Sequence, residues 1–222
     1  MIELRNICKS YRTKKGVKVV LNQVNAVFRR GQNIGILGRN GAGKSTLLRL
    51  IGGAELPTSG QILRGASISW PIGFSGGFHG SLTGRENLRF IARIYNADID
   101  KVTSFVEGFS ELGEYLDMPV STYSSGMKSK LAFGLSMAID FDFYLIDEVT
   151  AVGDESFRAK SKAEFTRRRD HSTLIVVSHN VATIREYCSI AAVLDSGKLV
   201  MYDQIKPAIE HYHFINKAKE NP

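Results

Sequence analysis

The sequence predicts an α/β fold: a mostly parallel central sheet with flanking helices, an antiparallel β subdomain at the N-terminus and an inserted helical subdomain. Three observations predict it. Strand-like and helical patterns alternate from residue 143 onward, a glycine-rich loop joins the apolar run Ile34–Leu37 to a helical pattern, and helical stretches lie between these two strand-bearing parts.

With 222 residues, the chain can form a large domain burying about seven tenths of its unfolded surface. Apolar content of 43% and charged content of 23% suit a soluble globular protein. The net charge of +7 makes an anionic partner plausible, whether nucleotide, headgroup or polymer, without choosing among them. Arg158, Lys160, Lys162, Arg167, Arg168 and Arg169 supply much of the excess, most simply as a solvated helix face, the alternative being a membrane-surface or nucleic-acid patch. Two isolated cysteines, Cys8 and Cys188, in a chain too large to need staples suit a reducing cytosol, and no signal-peptide-like run opens the sequence. Residues 65–84 carry no Asp, Glu, Lys or Arg, yet eleven of the twenty are Gly, Ser or Pro, so they read as a loop region and not a membrane span. Work at a membrane would require docking through a partner.

Residues 1–12 and 17–28 alternate apolar and polar side chains and read as a hairpin. Tyr11, on the first strand, can be plain core packing or can stack on a purine base. Next comes G-R-N-G-A-G-K-S-T, residues 38–46, the P-loop pattern G-x-x-x-x-G-K-[ST] between strand and helix. Gly38, Gly41 and Gly43 let the backbone turn so that N–H groups converge on a polyphosphate, while Arg39, Asn40 and Ala42 complete the loop. Lys44 then reaches the β- and γ-phosphates, Ser45 ligates a bridging Mg²⁺, and Thr46 continues into a helix whose positive end faces the phosphates.

After a turn at residues 57–60, residues 61–69 read as a returning strand and the Gly/Ser-rich stretch as loop. Thr83 and Glu86 form a capping box for a helix whose apolar face continues through Ile91, Ile94 and Tyr95. Asp98 caps a second helical pattern running to Tyr115, with Val102, Phe105, Val106 and Phe109 buried. In the second half, strands are expected at 143–146, 173–177 and 190–194, and helices at 157–169, 181–187 and 204–215, with Gly197 in a hairpin turn.

The strand at 143–146 ends in Asp147 and Glu148, at the sheet edge where the glycine loop also lies. Asp147 suits Mg²⁺, and Glu148 suits a general base that polarises the attacking water, an effect worth about 10² to 10⁴ in rate. His179 follows the next strand and can meet the γ-phosphate or that water. Ser124, Ser125 and Gly126 open a further helix and make a weaker second anion site. His211 and His213, two apart on a helix, do not face one metal.

In order, the glycine loop, Tyr123-Ser124-Ser125-Gly126-Met127, the strand ending in Asp147-Glu148, Ala151-Val152-Gly153-Asp154 and His179 resemble the nucleotide-binding subunit of an ABC transporter over nearly the whole chain. The resemblance implies one P-loop NTPase domain, 1–222, with a helical subdomain at about 80–140. It further implies that Tyr11 stacks on adenine, that Ser124, Ser125 and Gly126 lie in the signature motif, and that Asp154 belongs to a coupling loop between subunits. His179 becomes the switch histidine, Glu148, His179 and Lys44 the catalytic residues, and ATP and Mg²⁺ the cofactors. A homodimer with two ATP sites follows, because the signature of one copy completes the site of the other. The signature is S-S-G-M where L-S-G-G-Q is commoner, and Ser75 stands where most members carry glutamine. The segments 70–78, 82–87 and 151–154 resemble polysaccharide exporters of the capsule type, and the chain's end at Pro222, where O-antigen exporters often add a carbohydrate-binding domain, favours capsule export.

The expected function is an ATPase on the cytoplasmic face of a bacterial inner membrane, powering polysaccharide export through separate permease subunits, with no nucleic-acid partner. O-antigen or teichoic acid export is the nearest alternative. A soluble ABC ATPase acting on nucleic acid or the ribosome, with the basic helix as contact surface, and a nucleotide-binding subunit without turnover are the rivals from other classes.

Overall fold

The computed structural model describes residues 1–14, 16–72, 77–147, 154–169 and 171–217, which form two compact units. The first comprises Met1–Pro71, Asp142–Glu148 and Arg169–Pro222, and the second Ile72–Phe141 and Val149–Arg168.

In the first unit, β1 (Ile2–Thr13) pairs antiparallel with β2 (Gly16–Phe28) and with β4 (Ser59–Arg64), giving a sheet of order β2-β1-β4. Ile2 and Leu4 face inward two apart, but the next buried residue is Ile7, out of phase by one. The register shifts there, and Asn6, at φ 49°, takes the extra residue of a bulge that returns Ile7 to the core side. The bulge is clamped because the Asn6 N–H donates to Asn25 Oδ1 at 2.8 Å and Asn25 Nδ2 donates to Asn6 Oδ1 at 3.0 Å.

The second sheet of this unit has the order β5-β6-β7-β3-β8-β9: Ile68–Pro71, Phe143–Asp147, Thr173–Ser178, Ile34–Leu37, Ile190–Asp195 and Lys198–Tyr202. All neighbours are parallel except β8 and β9, joined by a hairpin turn at Ser196 and Gly197, both at positive φ. β3 and β7 are buried throughout, as strands covered on both faces must be. The helices of this unit are α1 (Lys44–Ile51), α6 (Val181–Tyr187) and α7 (Ile205–Lys217). Leu47, Leu48, Leu50 and Ile51 of α1 are wholly buried, each stabilising by about 1.5–3 kcal/mol relative to exposure.

One expected strand, 61–69, is two strands in different sheets, and the stretch read as loop holds β5. Asp142 causes the break. Its Oδ2 accepts from the Ser67 N–H at 2.8 Å, from Ser67 Oγ at 3.0 Å and from Arg30 Nη2 at 2.6 Å, anchoring the chain beside the start of β6. Ile68–Pro71 then adds at the sheet edge, where a proline is tolerated.

The second unit contains α2 (Gly84–Ile94), α3 (Ile99–Ser110), α4 (Ser125–Ala138) and α5 (Glu155–Arg169). Thr83 and Glu86 form the expected capping box, and Asp98 caps α3. α3 stops at Ser110, short of Tyr115, because Glu111 (φ 57°) and Gly113 (φ 53°) turn left-handed. Phe109 stacks on Phe133 at 5.7 Å and meets Phe157 edge-on at 5.3 Å, so one aromatic cluster joins α3, α4 and α5. Phe105 is only partly buried.

On α2 the buried residues are Gly84, Asn87, Leu88 and Ala92, whereas Ile94 and Tyr95 are exposed, contrary to the expected apolar face. Asn87 explains the rotation: its side chain accepts from the His79 N–H and donates to the carbonyls of His79, Leu82 and Thr83, so a polar residue takes the inward position. The basic run on α5 is tied into its own unit. Lys160 pairs with Glu111 at 3.0 Å, Arg167 with Glu164 at 2.6 Å, and Arg168 with Asp140.

Candidate functional site

β3 delivers the chain to the loop 38–43 at the carboxyl edge of the parallel sheet. Gly41 (φ 80°) and Gly43 (φ 106°) adopt conformations that disfavour any side chain, and a Cβ on Gly43 would come within 2.8 Å of Val20 Cγ1. The Ala42 N–H closes the turn on the Arg39 carbonyl at 3.1 Å, and the Leu47 N–H starts the α1 ladder on Gly43. The amides at the start of α1 have no carbonyl above them within the helix, so they and the helix dipole favour an anion.

Lys44 opens α1 and is 7% exposed. Its Nζ donates to the carbonyls of Gly38 at 2.7 Å and Arg39 at 3.2 Å, so the ammonium spans the loop it belongs to. Ser45 is exposed, while Thr46 is buried with its Oγ1 accepting from Arg49 Nη2 at 3.3 Å. A cavity of about 580 Å³ is lined by Tyr11, Lys18, Lys44, Ser45, Thr46 and Asp147. A second hollow of about 490 Å³ is lined by Lys18, Arg39, Asn40, Gly41, Ala42 and Asp195.

Asp147, the last residue of β6, is level with Val177, and Ser178, which precedes His179, is level with Leu37, which precedes Gly38. The parallel register thus brings the glycine loop, Asp147 and His179 to one edge of the sheet. Ser45 and Asp147 offer oxygen donors on a shared cavity, which fits a hard cation that completes its shell with phosphate and water. Among the described residues no group of three or more His, Cys, Asp or Glu forms a ready-made metal cage. His211 Nδ1 is instead 2.9 Å from the Tyr202 hydroxyl. Glu148, Ser75 and residues 151–153 lie outside the described residues.

In the second unit, Ser124 is the N-cap of α4, its Oγ accepting from the Met127 N–H at 3.2 Å. Ser125 and Gly126 follow in the first turn, and all three are exposed. A hollow of about 540 Å³ is lined by Tyr115, Ser124, Gly126, Met127, Lys130 and Asp154. Asp154 accepts from the Phe157 N–H at 2.9 Å and from Lys130 Nζ at 3.0 Å, contacts that hold its carboxyl below the usual range.

Two residues of the first unit escaped sequence reasoning. Lys18 sits directly opposite Tyr11 in the β1–β2 register and lines both cavities, which no spacing rule signals. Glu55 is the first acid after Glu3, but nothing in that spacing points to Tyr11. It accepts from the Tyr11 hydroxyl and from Arg49 Nε, each at 2.6 Å, and pairs with Lys9 at 3.3 Å. Burial works to raise its carboxyl, but the hydrogen bonds from Tyr11, Arg49 and Lys9 outweigh this and hold it down at about 2. Because the folded value lies below the ordinary 4.5, its stabilisation is complete above that pH and is lost as pH falls towards 2. The melting-temperature gap between wild type and Glu55→Gln is expected to close across that interval in thermal melts; a gap independent of pH would contradict the assignment.

The sequence matches the profile of the ABC transporter family over residues 21–151. It is 53% identical over 215 residues to the capsule polysaccharide export ATP-binding protein CtrD of Neisseria meningitidis serogroup B, covering 97% of this chain and 100% of that one. It is 52% identical over 217 residues to the ATP-binding protein BexA of Haemophilus influenzae, covering 98% and 100%. Among solved structures, the ATP-binding cassette MJ0796, described as a dimeric post-hydrolysis state bound to ADP and Pi, aligns with a TM-score of 0.76 at 21% identity over 93% of this chain and 99% of that one.

Proposed function

Because the chain belongs to the ABC transporter family as an ATP-binding subunit, we propose a catalytic cycle in which two copies close on ATP to drive polysaccharide export. It is an ATPase that powers capsule polysaccharide export. The observation that carries this is identity above one half along almost the full chain to the capsule export protein, joined to a P-loop cavity containing Lys44 and Asp147.

In this reading the loop amides of residues 38–43 hold the phosphates, and Lys44 gives up one or both carbonyl contacts to bind β- and γ-oxygens. Tyr11 stacks on the base. Ser45 and Asp147 hold Mg²⁺, which when bound neutralises charge on the phosphate oxygens. Glu148 accepts the proton of the water that attacks the γ-phosphorus, and His179 donates to the transferred group. ADP leaves with its β-phosphate bearing the new negative charge. Ser124, Ser125 and Gly126 of a second copy supply hydroxyl and amide donors on the far side of the γ-phosphate, so the site turns over only as a dimer.

Among the described residues no helix is long and apolar enough to cross a membrane; in the proposed cycle the force passes to separate permease subunits at the cytoplasmic face of the inner membrane. The exposed Phe90 and Ile94 on α2, 55% and 61% accessible, give such a subunit an apolar foothold. In an encapsulated strain lacking this protein, supplying the wild-type chain is expected to restore surface polysaccharide, while a Lys44→Ala chain leaves polymer inside the cell. Surface polymer restored equally by both would reject the reading, and an ATPase rate raised by RNA or DNA would favour a nucleic-acid role.

A further inference from the structure

We infer that Glu55 is a positioning residue for nucleotide recognition: it fixes the Tyr11 ring as a base platform and ties that platform to the phosphate-binding helix. The inference rests on the reading of Tyr11 as the base-stacking residue. The Tyr11 hydroxyl donates to Glu55 Oε2 at 2.6 Å, while Lys9 Nζ lies 5.1 Å from the ring centroid and donates to the Leu56 carbonyl at 2.8 Å. One face of the ring is thus occupied by a cation, and a base stacks on the other. A phenol held at its hydroxyl and at one face cannot swing about its side-chain torsions without breaking a charge-assisted hydrogen bond.

The other Glu55 oxygen accepts from Arg49 Nε at 2.6 Å, Arg49 Nη2 donates to Thr46 Oγ1, and the Glu55 N–H donates to the Arg49 carbonyl at 3.2 Å. Thr46 directly follows the P-loop pattern and lines the cavity that Tyr11 also lines. Glu55 therefore spans the two ends of a bound nucleotide, setting the distance between base platform and phosphate site. Losing it should weaken ligands that carry a base and spare those that are phosphate alone.

The test compares Mg-ATP with Mg-tripolyphosphate by calorimetry on the full chain. Tyr11→Ala is expected to weaken ATP by about tenfold or more and leave tripolyphosphate unchanged. Glu55→Ala and Tyr11→Phe should each weaken ATP by about five- to tenfold with tripolyphosphate unchanged. The double variant Tyr11→Phe/Glu55→Ala should bind ATP no worse than Glu55→Ala alone, since that change already removes the bond that Tyr11→Phe breaks. Tyr11→Phe removes one hydroxyl and carries the test even if Glu55→Ala folds poorly. If Tyr11→Ala loses both ligands equally or neither, the base-platform reading falls. If Tyr11→Ala is selective for ATP but Tyr11→Phe binds ATP like wild type, or Glu55→Ala lowers the melting temperature without changing the ratio of the two affinities, the positioning role is overturned.

Discussion

Replacing Glu148 with Gln is expected to reduce steady-state ATP hydrolysis by about 10²- to 10⁴-fold while MgATP affinity stays within about threefold of wild type. The amide keeps the size and a hydrogen-bond acceptor but cannot take a proton at neutral pH, so the loss falls on the chemical step. Loop amides, Lys44, Ser45 and Asp147 are untouched, which is why binding survives. Single-turnover phosphate release measures the chemistry separately from product release. A rate within about threefold of wild type would remove Glu148 as the base and favour a subunit that binds nucleotide without splitting it.

Lys44→Ala is the second large effect, and it should appear in binding. Lys44 is buried beside the loop, and its ammonium makes two hydrogen bonds to loop carbonyls that it exchanges for phosphate oxygens when ligand arrives. Each charge-assisted hydrogen bond contributes about 1.5–3 kcal/mol, so losing the contacts to two phosphates should weaken MgATP by about 10²-fold or more. Lys44→Met keeps most of the apolar stem and separates packing from charge. Equilibrium titration with MgATP is expected to show both variants impaired alike; affinity retained by Lys44→Met would assign the residue to packing.

The parts of the fold that depend on local chemistry were readable in the sequence. The capping box of Thr83 and Glu86, the Asp98 cap and the buried strands β6, β7 and β8 follow from side chains within a few residues of one another. What escaped depends on distant partners. The split between β4 and β5 is enforced by Asp142, seventy-five positions from Ser67, and Asn87 turns α2 so that Ile94 and Tyr95 face outward. The same holds at the site. The loop, Asp147 and His179 announce themselves in the sequence, because each stands at the end of a short apolar strand of the parallel sheet. Lys18 reaches the cavity only through cross-strand register with Tyr11, and Glu55 through a hydrogen bond that spans forty-four positions.

In the proposed dimer, Ser124, Ser125 and Gly126 of one copy complete the P-loop cavity of the other. Native mass spectrometry of the Glu148→Gln chain with MgATP tests it most directly. A species of two chains carrying two ATP molecules is expected, lost when Lys44→Ala is added. A single chain that holds ATP at saturation and never pairs would contradict it.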